Sequence, residues 1–137
     1  MNNDKFRRNI QKRIDEAKGK QKLFIKKLTL ELLKRVVLKS PVDTGRFRNN
    51  WMIGNGSVDM STSIETDKSG TGSILRGASE VNSINVNGQI IYISNSLPYA
   101  KKLEFGSSKQ APAGMVRVTL AEIHQAVRNV AFEVRKS

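Results

Sequence analysis

Residues 4–39 read DKFRRNIQKRIDEAKGKQKLFIKKLTLELLKRVVLK, and their spacing decides the fold. Phe6, Ile10, Ile14 and Ala17 recur at steps of four, four and three, and Ile25, Leu28, Leu32 and Val36 at three, four and four. That is the repeat of one face of an α-helix. Leu30, Leu33 and Val37 widen the apolar stripe in the second half, so that half is expected to be the more deeply buried. Gly19 stands between the halves and costs about 1 kcal/mol relative to Ala in a helix interior, which marks a candidate kink or joint. Pro41 ends the helix, because the residue before a proline is pushed out of the α region.

Beyond Pro41 the pattern changes. Thr44–Asn50 suits one helical turn, and Trp51-Met52-Ile53 reads as the start of a strand. Residues 83–94, SINVNGQIIYIS, predict a β-hairpin: Asn87-Gly88 favours a tight type I′ turn, and the second strand is rich in Ile and Tyr. In residues 115–135, Val116, Leu120, Ile123, Val127, Val130 and Val134 recur at helical steps, flanked by Ala121, Ala126 and Ala131. Residues 54–82 are rich in Gly, Ser, Thr and acids and poor in apolar side chains, and read as a long mobile loop or protruding hairpin. Deleting residues 57–80 is therefore expected to leave a folded core. The sum is a single α+β domain over residues 1–137, with a long N-terminal helix and a C-terminal helix packed on a small antiparallel sheet.

The 137 residues are 38% apolar, with eight aromatics and no cysteine. That points to a modest core and excludes disulfides and thiolate metal sites. No apolar run is long enough to cross a membrane, and residues 1–5 lack an apolar signal core, so neither membrane insertion nor secretion is expected. The net charge of +12 is uneven: +10 over residues 1–48, −2 over 49–100 and +4 over 101–137. One basic surface facing something anionic is the physical implication.

No residue pattern carries catalysis, a cofactor or a metal, and the chain is not expected to be an enzyme. His124 is the only histidine, so no zinc set can be completed. Residues 106–114 lack the spacing of a phosphate-binding loop, and no nucleophile elbow is present. Asp59, Glu65, Asp67 and Glu80 are scattered through the middle segment. What remains is the basic face of the first helix, where Arg7, Arg8, Lys12, Arg13, Lys26 and Lys27 are the candidate DNA-facing residues. Too few acids accompany them to neutralise the face through i,i+4 pairs. No aromatic stacking platform goes with it, so the attraction would be sequence-independent and salt-sensitive.

Two segments stand apart from these patterns. One is Ser40-Pro41-Val42-Asp43-Thr44-Gly45-Arg46-Phe47-Arg48-Asn49-Asn50-Trp51. The other is Asn95-Ser96-Leu97-Pro98-Tyr99-Ala100-Lys101-Lys102-Leu103-Glu104-Phe105-Gly106, followed by Gln110–Met115. In this order they resemble the tail-component family of long-tailed bacteriophages, also called neck or tail-completion proteins. The resemblance covers roughly residues 30–125 with a poorly matched middle. It implies a structural virion protein at the head–tail junction, one subunit of a six-fold or twelve-fold ring around the DNA channel. It further implies connector, tail-terminator or tail-tube neighbours and non-specific proximity to DNA. Arg46, Phe47, Arg48, Lys101, Lys102 and Glu104 are then candidate subunit-interface residues. The same segments also read as a helix stop and a core plug, with Trp51, Tyr99, Leu103 and Phe105 as anchors. The alternative function, resting on charge alone, is a small basic protein that binds nucleic acid without sequence preference.

Overall fold

The computed structural model describes residues 3–136. Helix α1 spans Asn3–Lys39 without a break at Gly19. A short turn leads to helix α2 (Arg46–Asn49) and strand β1 (Trp51–Asn55). Helix α3 (Thr71–Ser83), strand β2 (Ile91–Asn95) and helices α4 (Ala100–Glu104), α5 (Val116–Ala121) and α6 (Ile123–Lys136) follow. The two strands pair antiparallel, with Trp51 opposite Asn95, Ile53 opposite Ile93 and Asn55 opposite Ile91. This is the expected α+β architecture.

The core forms where the last turns of α1 meet everything else. Leu33, Val36 and Val37 of α1 pack with Phe47, Trp51, Ile53, Val81, Leu97, Ala111 and Met115. On the helical side, α1 packs against α3 and against α6, where Ala126, Val130 and Val134 are buried. Burial thus follows the apolar stripe only in the second half of α1. Residues 3–22 are exposed on every face, so the first half is an arm about 30 Å long at 1.5 Å per residue.

Three sequence expectations are corrected. First, residues 54–82 are not a mobile loop or hairpin throughout, because α3 begins at Thr71. Its inward face, Ser73, Gly77 and Val81, is buried. A Cβ on Gly77 would collide with Leu33 Cδ2, so the absent side chain is what lets α3 lie close on α1. Asp67 organises the start of α3: its carboxylate accepts the backbone N–H groups of Gly70 (3.1 Å) and Ser73 (2.8 Å) and the Ser73 hydroxyl (3.0 Å). A carboxylate there satisfies orphan donors and complements the helix dipole. Deleting residues 57–80 would remove most of α3, so a folded core is not expected to survive it.

Second, residues 83–94 are not a hairpin. Helix α3 consumes Ser83, the Ile84 N–H bonds to the Val81 carbonyl, and residues 84–90 are irregular. Strand β2 pairs instead with β1, whose Trp51, Met52 and Ile53 are all buried. A pairing that buries a strand of large apolar residues outweighs a local turn preference. Third, the C-terminal helix breaks at Glu122. The stripe drawn through residues 116–134 does not form one seam, and Leu120 is 59% exposed while Ala126 is fully buried.

Residues 56–70 are irregular but fixed by side chains that replace a strand partner. Asn50 accepts from the Ser63 N–H (2.8 Å) and donates to the Ser63 carbonyl (3.0 Å). Asn49 donates to the Glu65 carbonyl, and Ser94 Oγ to the Asp59 carbonyl. Backbone polar groups in a compact domain need partners, and two asparagines in α2 and its cap supply them.

Ser40 joins α1 to β1. Its hydroxyl donates to the Val36 carbonyl at 2.6 Å and accepts the Trp51 indole N–H at 2.7 Å. Replacing Ser40 with Ala strands a buried indole donor. The expected loss is about 1–3 kcal/mol of unfolding free energy, measured by urea denaturation followed through the fluorescence of this single tryptophan. An unchanged midpoint would show that the bond contributes nothing.

Candidate functional site

The two segments set apart in the sequence meet in space. Gln110 spans them, accepting the Val42 N–H at 2.9 Å and donating to the Val42 carbonyl at 3.0 Å. The Phe47 ring lies 6.0 Å from that of Tyr99, and Asn95 donates to the Phe47 carbonyl at 2.9 Å. Between them lies a cleft of about 240 Å³, lined by Pro41–Gly45, Phe47, Tyr99, Leu103, Ser108 and Gln110. Gly45 is essential to this turn. Its φ is +91°, and a Cβ would sit 2.6 Å from the Asp67 carbonyl carbon and the Lys68 nitrogen.

Of the six residues expected at a subunit interface, four are engaged within the chain. Phe47 is a core residue, 5% exposed, packed edge-on against Trp51 with ring centroids 5.8 Å apart. The Arg48 guanidinium donates to the carbonyls of Leu38 (3.1 Å), Ser40 (2.9 Å) and Lys68 (2.8 Å), and so closes the C-terminal end of α1. Glu104 receives the N-terminus of α5: Oε1 accepts from Met115 N (3.0 Å) and Val116 N (2.8 Å), and Oε2 from Arg117 N (3.1 Å) and Arg117 Nε (3.2 Å). Arg46 is half-buried, with Nε on the Ser63 carbonyl. Lys101 and Lys102 are exposed on α4 and remain open to a partner. The anchor expectation holds for Trp51 but not for Phe105, which is 65% exposed beneath the Arg117 guanidinium.

The six candidate DNA-facing residues also divide. Arg7, Arg8, Lys12 and Arg13 stand on the exposed arm. Lys26 and Lys27 lie lower on α1, where they tie it to its neighbours. Lys26 Nζ donates to the Asn82 carbonyl at the end of α3 (3.0 Å), and Lys27 Nζ pairs with Glu133 of α6 (3.4 Å). Sequence spacing alone does not separate these groups, because helical periodicity does not show where α1 leaves the body. The paired set begins where the helix reaches the body. A second ionic tie goes unsignalled in the sequence: Glu122, at the break between α5 and α6, bonds Arg35 (3.1 Å) and Lys39 (2.7 Å) of α1.

Among the described residues no group of three or more His, Cys, Asp or Glu is placed to hold a metal ion, and no helix is long and apolar enough to cross a membrane. Comparison with protein-family models, with curated proteins and with solved structures finds no match to this chain.

Burial pushes the Glu104 carboxyl up, but the N–H groups of Val116, Arg117 and Met115 outweigh it and hold the acid below its ordinary 4.5. Asp67 is held below 3.8, where burial is outweighed by the Ser73 and Gly70 donors. Carboxyls depressed in the folded state stabilise it above their unfolded values and lose that contribution as pH falls through the folded ones. Glu80, raised by burial, works in the opposite direction. Thermal stability is therefore expected to fall as pH drops below 4.5. E104Q should cost about 1–3 kcal/mol at pH 7 and flatten the acid limb in a calorimetric pH series. Parallel pH profiles for the two proteins would remove Glu104 from that account.

Proposed function

We propose that this chain is a structural virion protein of a long-tailed phage, a tail-completion or neck subunit that forms a ring around the DNA channel at the head–tail junction. The observation that supports this most is the uncovered arm. The arm keeps Phe6, Ile10 and Ile14 exposed, and exposed apolar side chains in a row mark a surface for a partner. A ring subunit needs two different patches for its head-to-tail contacts, and an arm plus a body provides them. The convergence of the two segments that carry the family resemblance is consistent with a shared scaffold behind those patches. Connector, tail-terminator or tail-tube proteins are the neighbours, and six-fold or twelve-fold symmetry follows by analogy with such assemblies. Immunogold electron microscopy of phage particles carrying the protein is expected to place label at the head–tail junction or upper tail. Unlabelled particles, with the protein confined to the soluble fraction, would overturn the assignment.

The second reading, a nucleic-acid-binding protein, draws on Arg7, Arg8, Lys12 and Arg13, which stand on the exposed arm. Within the ring reading, cations of the arm that no neighbour covers face channel DNA loosely. Changing these four to Gln should abolish duplex binding in fluorescence anisotropy, whereas Lys26→Gln with Lys27→Gln should leave it nearly unchanged. Four phosphate contacts predict about a hundredfold loss of affinity between about 50 and 200 mM salt. Sub-micromolar binding that persists near 150 mM salt would favour the second reading over the first.

A further inference from the structure

The arm carries a directional pattern as well as charge. At about 100° per residue, Phe6, Ile10, Ile14 and Ala17 share one face. Arg7 borders that face on one side, and Arg13 and Lys20 on the other. Asp4, Asp15 and Glu16 fall outside these borders, and Arg8 and Lys12 lie on the opposite face. The arm is thus an apolar stripe edged by cations. Because α1 is one continuous helix, its own body cannot fold back to cover the stripe.

The body offers an exposed apolar surface with acids beside it and Arg46 on the Ser63 carbonyl. Ile64 and Met60 are the two most exposed large apolar side chains among the described residues, at 84% and 75%. They sit in the pinned segment 56–70 beside Asp59 and the exposed Glu65. Asp59 is held below its ordinary 3.8, chiefly by the Ser61 hydroxyl and N–H, and stays charged at neutral pH. The exposed rings of Phe105 and Phe132 suit the arm poorly. Phe105 lies under Arg117 (5.1 Å) and Phe132 under Lys136 (4.3 Å), so a cationic arm would meet cations there.

We propose that the apolar face of residues 6–17 docks on the Met60–Glu65 surface of a second copy of this chain, arm to body, head to tail. Docking covers Phe6, Ile10 and Ile14 with Met60 and Ile64 and brings Arg7 and Arg13 to Asp59 and Glu65 of the neighbour. Arg8 and Lys12 stay turned outward, free for a DNA backbone. The proposal rests on the ring reading, and it names the contact that reading needs.

The absence of cysteine makes the test clean. Single variants Phe6→Cys, Ile10→Cys and Ile14→Cys are each mixed with Met60→Cys or Ile64→Cys and treated with a short bis-maleimide. All five positions are exposed, and circular dichroism checks that each variant keeps the parent fold. At least one arm–body mixture should crosslink several-fold more than either variant alone. The corresponding double variant should give a ladder of oligomers on a denaturing gel, and adding Arg7→Glu with Arg13→Glu should erase it. No arm–body crosslink, arm–arm crosslinks of equal yield, or crosslinks displaced by duplex DNA would each overturn the proposal. Phage particles labelled at the junction without arm–body crosslinks would sink the arm contact alone. Crosslinks in the purified protein without labelled particles would sink the phage assignment and leave the contact standing.

Discussion

The hydrogen bond from the Trp51 indole to Ser40 Oγ, 2.7 Å long and buried, is the tie on which the body depends. It fixes the end of α1 to the start of β1 across the Pro41 turn. The same hydroxyl is anchored to the Val36 carbonyl, so the helix end and the strand start share one polar atom. Trp51 then brings Phe47 edge-on and lies among Leu33, Val36 and Val37. An apolar fraction of 38% leaves little material for a core, and its aromatic part is concentrated at this junction. A buried indole satisfied at its N–H contributes its full apolar area without the penalty of a stranded donor.

Around that junction the fold is held largely by polar side chains on backbone groups. Arg48 gathers three carbonyls, while Arg76 donates to the carbonyls of Asn49 (2.8 Å) and Trp51 (3.2 Å). Asn49 and Asn50 hold residues 63–65, and Asp67 starts α3. Such bonds fix chain direction without regular pairing, so an irregular segment can be placed as firmly as a strand. Because residues 56–70 are pinned through backbone atoms, their side chains at Met60 and Ile64 are left to face outward.

The arm extends the same economy. Its helix is continuous with the packed half of α1, so it needs no core of its own to start. Its net positive charge repels like charge, which disfavours symmetric arm–arm pairing. Two unlike patches on one rigid body are the geometric condition for a ring or a filament rather than a two-fold dimer.

Much of this was legible in the sequence. Residues 4–39 announce a helix, the greater burial of its second half, and its stop at Pro41, because a 3.6-residue period and a proline act locally. The helical turn within Thr44–Asn50 and the strand character of residues 51–53 and 91–94 are local as well. Helix α3 was hidden: Ile74, Ala78 and Val81 give its face only three apolar residues, and its start depends on Asp67, whose role exists only once the chain is bent around it. The partner of β2 was hidden too, since Asn87-Gly88 favours a hairpin locally while burial of Trp51 and Ile53 pairs β1 with β2 across a connection that contains α3. Charge along α1 was visible as composition, but the sequence did not separate Lys26 and Lys27, tied to α3 and α6, from the arm cations. By itself, then, the sequence determined helix periodicity, chain stops and the uneven charge, all of which act between near neighbours. Only the tertiary structure decided which strand pairs, which glycine must be bare and which cations stay unpaired, because those depend on atoms brought together from distant parts of the chain.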